Sequence, residues 1–353
     1  PEIRYNAENY LAQGAHMLVI GEGEVTFYEI CRYFSETGQL PLDVKGTAYL
    51  SGNETVFTPE RELIRDVDQL PMPARHKVNL NLYAQAWKDH HGYSMFSVST
   101  MRGCPYTCKW CSRAVYGGTY RRRNAKLVVD ELEQLQKNYS PDRIWFVDDV
   151  FTINHKWLRE FRDELIKRKI FIPYEIITRA DRMNEEVIAI LRETGCFRVW
   201  IGAESGSQRI IDAMDRRVKV EMVGDMIRAT RKAGMEAGTF IMLGYPGEQR
   251  IDIQDTIRHL KRSAPDTYTV TIAYPITGTP LYQEVNDSLT ASGSWKDITD
   301  RDYDFKRSHS RRYYDYAIRW VANEVNGHRE PRLNRKIKFK LKSVMAQALM
   351  LIS

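Results

Sequence analysis

Three of the five cysteines lie within eight residues, at Cys104, Cys108 and Cys111. Gly103 and Pro105 allow the loop that carries them to bend, so the three thiolates can converge on one centre. Soft sulfur ligands select zinc, copper(I) or an iron–sulfur cluster. Structural zinc and a complete cubane each take four protein ligands, whereas this loop supplies three. The spacing predicts a cluster with one iron open to a substrate, and a zinc site or a redox thiol is the alternative.

The composition is that of an ordinary globular protein. Of the 353 residues, 43% are hydrophobic and 28% charged, which suffices for one large domain with appendages. No apolar run reaches the ~20 residues of a membrane span, and no secretory leader is evident. Clustered cysteines fit a reducing cytoplasm better than a disulfide framework. The net charge of +6 suits an anionic substrate or surface without indicating nucleic-acid binding. Because the sequence opens on Pro1, we expect it to begin inside a longer protein.

Alternating strand and helix patterns from about residue 94 to 285 must position the cysteine loop. Helical apolar spacing separates short apolar stretches, as in parallel strands covered by helices. The predicted strands are 95–101, 143–148, 174–179, 198–203, 239–244 and 267–274. Six successive β/α units predict an α/β fold, a partial parallel (β/α)6 barrel with fewer strands than the eight of a full barrel.

Segments of different character flank the barrel. The predicted domains are an N-terminal α/β remnant (1–44), a linker with short strands (45–93), the barrel (94–285) and a basic helical C-terminal extension (286–353). Thr26 replaces the third glycine of a dinucleotide fingerprint, so the turn at Gly21 to Glu24 is not one. Helices are predicted at 313–325 and 337–352. Docking on the barrel or an oligomer contact is favoured for the last helix, and contact with a membrane surface is the alternative.

Polar residues follow the carboxyl ends of the predicted strands, where parallel barrels build their active sites. They are Asp148 and Asp149 after the second strand, Arg179 after the third, Glu204 and Ser205 after the fourth, and Gly244 after the fifth. Simpler roles are helix capping for the aspartates and serine, and a surface ion pair between Arg179 and Asp181.

The other two cysteines do not belong to this group. Cys196 precedes the fourth strand, so a strand length of roughly 20 Å separates it from the cysteine loop and excludes it as a fourth ligand. Cys31 lies on the apolar-rich helix of the remnant. Both are predicted to be buried structural cysteines.

The cysteine triad, with Trp110 before its third member, resembles the signature of the radical S-adenosylmethionine (SAM) enzymes. The run from Gly202 to Gly206 resembles the fourth-strand motif of that family, and Gly244 to Glu248 its fifth-strand motif near adenine. The resemblance implies a [4Fe-4S] cluster on Cys104, Cys108 and Cys111. It also implies that SAM is contacted by Trp110, Asp148, Asp149, Arg179, Glu204, Ser205 and Gly244. Among these, an aspartate would bind the methionyl amino group, Arg179 the carboxylate and Glu204 the ribose or sulfonium.

Within the family, the chain resembles the cobalamin-binding-domain type, and in particular the group that contains the anaerobic magnesium-protoporphyrin IX monomethyl ester cyclase. The resemblance implies reductive cleavage of SAM to a 5′-deoxyadenosyl radical that abstracts hydrogen from an unreactive carbon. Cobalamin-linked cyclase or C-methyltransferase chemistry on an anionic or tetrapyrrole-like small molecule is expected. An external flavodoxin- or ferredoxin-type reductant would supply electrons, and no nucleic-acid partner is expected. A tRNA methylthiotransferase-like enzyme and a non-catalytic iron–sulfur or zinc module are the alternatives.

Overall fold

The computed structural model describes residues 2–290, 295–297 and 299–353. Short strands flank the main ones. In chain order the strands are β1 (Leu18–Val19), β2 (Thr47–Ser51), β3 (Glu54–Phe57), β4 (Met95–Val98), β5 (Met101–Arg102), β6 (Arg121–Arg122), β7 (Arg143–Phe146), β8 (Tyr174–Thr178), β9 (Cys196–Ile201), β10 (Glu236–Leu243), β11 (Thr267–Ile272), β12 (Leu289–Thr290) and β13 (Asp304–Phe305).

Helices alternate with these strands through most of the chain. In chain order they are α1 (Glu2–Tyr5), α2 (Ala7–Ala12), α3 (Gly23–Thr37), α4 (Leu80–His91), α5 (Ala125–Tyr139), α6 (His155–Arg168), α7 (Glu185–Glu193), α8 (Gln208–Ala213), α9 (Val220–Lys232), α10 (Arg250–Ser263), α11 (Pro280–Val285), α12 (Arg311–Arg329) and α13 (Leu333–Leu351).

Two compact units make up the chain. Unit 1 comprises Pro1–Val67, Arg102–Arg121 and Tyr274–Phe305, and unit 2 comprises Asp68–Met101, Arg122–Ala273 and Lys306–Ser353. The domain boundaries predicted at residues 44, 93 and 285 stay predictions. The range predicted as a linker contains the hairpin β2–β3, which pairs with β1 in one antiparallel sheet of unit 1.

Unit 2 is built on a parallel sheet with the strand order β11-β10-β9-β8-β7-β4. Neighbouring strands follow each other along the chain, and each pair is parallel. This order is that of a partial (β/α)6 barrel, so the predicted fold class is confirmed. Because every strand runs the same way, the carboxyl ends of all six described strands lie along one edge of the sheet.

Asparagine caps start three of the helices that cover this sheet. The side chain of Asn124 accepts a hydrogen bond at the start of α5, Asn154 at the start of α6 and Asn184 at the start of α7. Neither Asp148 nor Asp149 therefore caps α6. Beneath the sheet, Phe146 and Phe161 pack in an aromatic cluster with ring centroids 5.8 Å apart.

The last two helices pack on each other within unit 2, and both agree with the sequence prediction. Ser343, Ala346 and Met350 form the buried side of α13. No helix in the described residues is both long enough and apolar enough to cross a membrane.

One prediction about the cysteines is confirmed and one is wrong. Cys196 is buried as the first residue of β9. Cys31 is exposed, because α3 buries only Thr26 and Ile30 and turns its other apolar residues outward.

Candidate functional site

The cysteine loop lies in unit 1, where Cys108 is buried and Cys104 and Cys111 are half-buried. The amide of Cys111 donates to the carbonyl of Cys108 at 3.3 Å, which forms a tight turn between the last two cysteines. Trp110 lies in this turn and is half-buried. Helix α11 holds the loop from one side, since Leu281 N donates to the Lys109 carbonyl at 2.9 Å.

Gly103 directly precedes Cys104 at the start of the cysteine loop. Its φ is +79°, a conformation that L side chains rarely adopt. A Cβ atom there would lie 2.4 Å from the carbonyl oxygen of Thr119 and 2.9 Å from that of Tyr116. Only glycine therefore allows the two ends of the loop to approach each other this closely.

The donor chemistry of the loop fits an iron–sulfur cluster. Within residues 2–290, 295–297 and 299–353, no three cysteine, histidine or carboxylate side chains are already arranged to hold one metal ion. Soft thiolates at this spacing remain a donor set suited to iron–sulfur chemistry.

Asp148 anchors the segment that leads into the cysteine loop. Its carboxylate accepts hydrogen bonds from the amides of Thr100 at 2.7 Å and Met101 at 3.1 Å, and from the Thr100 hydroxyl. Arg122 lies 3.5 Å away as its ion-pair partner. Burial raises the pKa of Asp148, while Arg122 and the hydrogen bonds from Thr100 act in the opposite direction. All these contacts lie in unit 2, and they occupy the carboxylate.

Asp149 differs from its neighbour. It is exposed at the carboxyl end of β7. Its carboxylate forms no hydrogen bond or ion pair with another residue in the part of the chain that the structure describes. Of the two predicted aspartates, Asp149 is thus the one available to a ligand.

Glu204 belongs to a buried charged network at the ends of β8 and β9. Its carboxylate lies 3.6 Å from the Arg216 guanidinium, and both side chains are at most 12% exposed. Arg216 in turn donates to the carbonyl of Gly202 at 2.6 Å. Burial raises the pKa of Glu204, and the charges of Arg216 and then Arg179 oppose that shift.

Arg179 joins the same network. It pairs with Asp181 at 2.9 Å and donates to the carbonyl of Arg216 at 2.7 Å. The pair with Asp181 was predicted as a surface alternative, but Arg179 is only 4% exposed. The guanidinium therefore lies in a desolvated setting, where its charge acts more strongly than it would in water.

The backbone of Glu204 is unusual for a residue with a side chain. Its φ is +63°. Its amide donates to the Phe240 carbonyl at 2.8 Å, and its carbonyl accepts from Met242 N at 2.7 Å. These bonds to β10 hold the residue in the left-handed region, a kind of strain that tends to occur at functional sites.

Ser205 stabilises the motif from Gly202 to Gly206 through its buried hydroxyl. It is 1% exposed, and its hydroxyl accepts from Ser207 N at 3.1 Å and lies 3.3 Å from the Thr256 hydroxyl. The next residue, Gly206, packs so closely on α10 that a Cβ would lie 2.5 Å from the Asp255 carbonyl oxygen. These contacts fix the motif against α10.

Gly244 directly follows β10 and has a φ of +78°. Its amide donates to Glu248 Oε2 at 2.6 Å, and its carbonyl accepts from Arg307 at 3.2 Å. Glu248 is fully buried, and burial raises its pKa to about 8. The Glu248 carboxyl group, which loses its proton less readily than an exposed glutamate, therefore stabilises the turn after β10.

A cavity of about 740 Å³ in unit 1 reaches Cys111. Arg4, Arg61 and Arg113 contribute cationic groups to its wall, and Glu22, Glu60 and Glu62 contribute carboxylates. Glu22 is paired with Arg121 at 2.7 Å and with Arg102 at 3.4 Å, so its charge is compensated within unit 1. The cavity offers room for an organic ligand beside the third cysteine.

Sequence reasoning missed Arg122 and Arg216, neither of which belongs to a recognisable motif. It named Glu248 only as the last residue of the fifth-strand motif and gave it no role. Their partners lie between 4 and 26 residues away in the chain. Only folding reveals these contacts.

Comparison with known proteins identifies the domain around these residues. Residues 98–260 match the family model described as the radical SAM superfamily. An uncharacterised methyltransferase of Pyrococcus horikoshii is 30% identical over 295 residues, covering 83% of this chain and 63% of the relative. The anaerobic magnesium-protoporphyrin IX monomethyl ester cyclase of Cereibacter sphaeroides is 29% identical over 286 residues, covering 77% and 45%. The chain therefore spans about half to two thirds of these relatives.

A solved structure shares the fold. The cobalamin-dependent SAM radical enzyme OxsB, with aqua-cobalamin bound, superposes with a TM-score of 0.73 at 14% identity, covering 99% of this chain and 58% of OxsB. This likeness confirms the predicted fold, and the family model matched by residues 98–260 confirms the predicted radical SAM domain.

Proposed function

Because residues 98–260 of this chain form a radical SAM domain, we propose that the protein binds a [4Fe-4S] cluster through Cys104, Cys108 and Cys111 and binds SAM at the open iron. The observation that carries this proposal is the cysteine loop, which follows the first strand of a parallel sheet whose next strands end in Asp149, Arg179 and Glu204. When bound, the reduced cluster would supply the electron that cleaves SAM to a 5′-deoxyadenosyl radical.

We assign the SAM contacts at the sheet edge as follows. Asp149 binds the methionyl amino group, because the carboxylate of Asp148 is already occupied by Thr100, Met101 and Arg122. Arg179 is assigned to the methionyl carboxylate on the family resemblance. Its Nε and Nη2 donate to Asp181 at 2.9 and 3.2 Å, so it would exchange Asp181 for that ligand.

The remaining contacts follow from the fourth and fifth strands. Glu204 accepts from the ribose hydroxyls or faces the sulfonium. Gly244 lets the backbone approach the adenine, since it has no Cβ. Trp110, the residue before the third cysteine, contacts SAM from the cysteine loop. Ser205 positions the neighbouring Glu204, because its hydroxyl forms hydrogen bonds with Ser207 and Thr256.

Arg216 tunes Glu204 in this proposal. Its charge favours the ionised carboxylate that burial disfavours. An ionised Glu204 suits both a cationic sulfonium and hydroxyl donors. The pair is buried, so removal of Arg216 would leave an uncompensated charge.

The overall reaction is proposed to be cobalamin-linked cyclase or C-methyltransferase chemistry on an unreactive carbon. The activities named for the two relatives and the cobalamin found in OxsB support this choice. The 740 Å³ cavity beside Cys111 supports a second ligand in unit 1, a corrinoid or the substrate. An external one-electron reductant of the flavodoxin or ferredoxin type and a cytoplasmic location complete the proposal.

Anaerobic reconstitution with iron and sulfide, followed by reductant and SAM, tests this function. The proposal predicts an iron–sulfur chromophore and SAM-derived 5′-deoxyadenosine or a methylated product detected by mass spectrometry. A chain that takes up the cluster but consumes no SAM is a non-catalytic iron–sulfur module. Added hydroxocobalamin should bind with a shift of its visible spectrum, and an unchanged spectrum contradicts the corrinoid part alone.

A further inference from the structure

Helix α13 has two different faces. Its buried side packs in unit 2, where Ser343 donates to Glu324 at 2.6 Å and Gln347 accepts from Arg250 at 2.8 Å. The opposite side presents Ile337, Leu341, Val344, Met345, Ala348 and Ile352 to solvent. These positions follow one another at i, i+4, i+7, i+8, i+11 and i+15, so they form one continuous stripe.

The stripe is strongly exposed. Leu341 is 62% and Met345 63% exposed, and Ile352 reaches 82%. Single exposed apolar residues are common on soluble proteins, whereas a contiguous apolar stripe along a helix marks an interaction surface.

Charge decides which partner fits this surface. The helix carries Arg335, Lys336, Lys338, Lys340 and Lys342, and the range from Leu333 to Leu351 contains no Asp or Glu. By helical geometry, Lys338 and Lys342 flank one side of the stripe and Lys336 and Lys340 flank the other. Lys340 also pairs with Glu324 at 3.2 Å.

A second copy of this chain is a poor partner. Two stripes facing each other would bring the lysines of both copies together, with no acidic residue on the helix to compensate them. An anionic lipid surface satisfies both features at once. Apolar side chains enter the boundary between headgroups and acyl chains, and anionic headgroups attract the lysines that flank the stripe.

We propose that α13 lies on a bilayer that contains anionic phospholipid, with the stripe from Ile337 to Ile352 facing the acyl chains. The helix lies in the plane of the surface rather than across it, since five of its first ten residues are basic. This inference is independent of the iron–sulfur chemistry proposed above.

Flotation of the full chain with vesicles tests the proposal. We expect the protein to float with vesicles of phosphatidylcholine and phosphatidylglycerol, and to float at least tenfold less with phosphatidylcholine alone. High salt should release it, because screening weakens the attraction of the lysines. Absence of flotation with the anionic vesicles overturns the proposal.

Matched variants distinguish vesicle binding through the stripe from nonspecific vesicle binding. The double variant Leu341→Asp/Met345→Asp should abolish flotation, while Leu82→Asp on α4, where Leu82 is 67% exposed, should not. Both changes are at exposed positions, so unfolding midpoints should stay unchanged. Lys338→Glu/Lys342→Glu should remove the preference for phosphatidylglycerol. A concentration-dependent dimer in light scattering that Leu341→Asp/Met345→Asp abolishes would instead assign the stripe to a second copy and overturn the lipid proposal.

Discussion

The carboxylate of Asp148 and the guanidinium of Arg122 lie 3.5 Å apart, and both side chains are at most 4% exposed. Asp148 also holds Thr100 and Met101, which precede the cysteine loop, while Arg122 follows it in the chain. Arg122 is further fixed by the ring of Trp157, whose centroid lies 3.6 Å from it. One buried ion pair thus fixes both ends of the loop that carries the proposed cluster ligands.

Asp148→Asn should destabilise the protein and reduce its iron content. The change leaves the buried charge of Arg122 without its partner, which costs about 3 kcal/mol. Urea unfolding and iron analysis after reconstitution measure the two effects. The control is Asp149→Asn, an exposed change that should leave stability and iron intact while weakening SAM binding. If both variants behave alike, the two aspartates do not have the separate roles assigned here.

Gly103→Ala should prevent cluster assembly. The added Cβ would lie 2.4 Å from the Thr119 carbonyl oxygen, at a φ of +79°. Gly118→Ala is the matched control in the same loop, because a Cβ there would meet only the flexible end of Arg113 at 3.3 Å. The visible absorbance of the reconstituted variants distinguishes them. If Gly103→Ala takes up a full complement of cluster, the loop tolerates a side chain at this position.

Glu204→Gln should weaken SAM binding about tenfold, which corresponds to about 1.4 kcal/mol. The amide keeps the shape of the carboxylate but loses the charge that Arg216 and a sulfonium would both favour. Equilibrium dialysis with SAM measures the change, and Glu221→Gln, at an exposed position of α9, is the control. Unaltered affinity in Glu204→Gln would remove this residue from the SAM site.

Glu248→Gln should change how stability depends on pH. The pKa of Glu248 is about 8 in the folded protein, above its ordinary value of 4.5. Between these values the folded state retains a proton that the unfolded state loses, so the wild-type free energy of unfolding falls as pH rises, by up to about 1.4 kcal/mol per pH unit. Glutamine can still accept from Gly244 and has no proton to lose.

Urea unfolding of both proteins from pH 5 to pH 8 measures this difference. The variant should gain stability relative to the wild type as the pH increases. Parallel curves across that range would mean that Glu248 ionises normally in the folded protein.

The sequence predicted the fold well because the relevant signals are local. Buried parallel strands are short apolar runs, and the strand predicted at 174–179 is observed as Tyr174–Thr178. The cysteine spacing and the turns after strands are local as well. Neighbouring residues alone therefore indicate the loop chemistry and the succession of strands and helices.

The roles of individual polar residues depend on partners that are distant in the chain. The Asp148 carboxylate accepts a hydrogen bond from Thr100, 48 residues earlier. In the pair with Asp181 that was predicted for the surface, the surrounding fold buries the Arg179 side chain. The prediction for Cys31 was wrong in the opposite direction, because burial was predicted and the residue is exposed. An apolar helix pattern predicted burial, but α3 exposes most of that face.

In the proposed site, three cysteines hold a cluster whose open iron receives SAM. Electron paramagnetic resonance of the anaerobically reconstituted, reduced protein, recorded with and without SAM, tests this arrangement. We predict four irons per chain and a reduced-cluster signal that SAM shifts. Cys104→Ala, Cys108→Ala and Cys111→Ala should each abolish the signal, and Cys196→Ala should retain it. Stoichiometric zinc without visible absorbance, or a cluster signal that SAM does not change, would exclude SAM binding at an open iron.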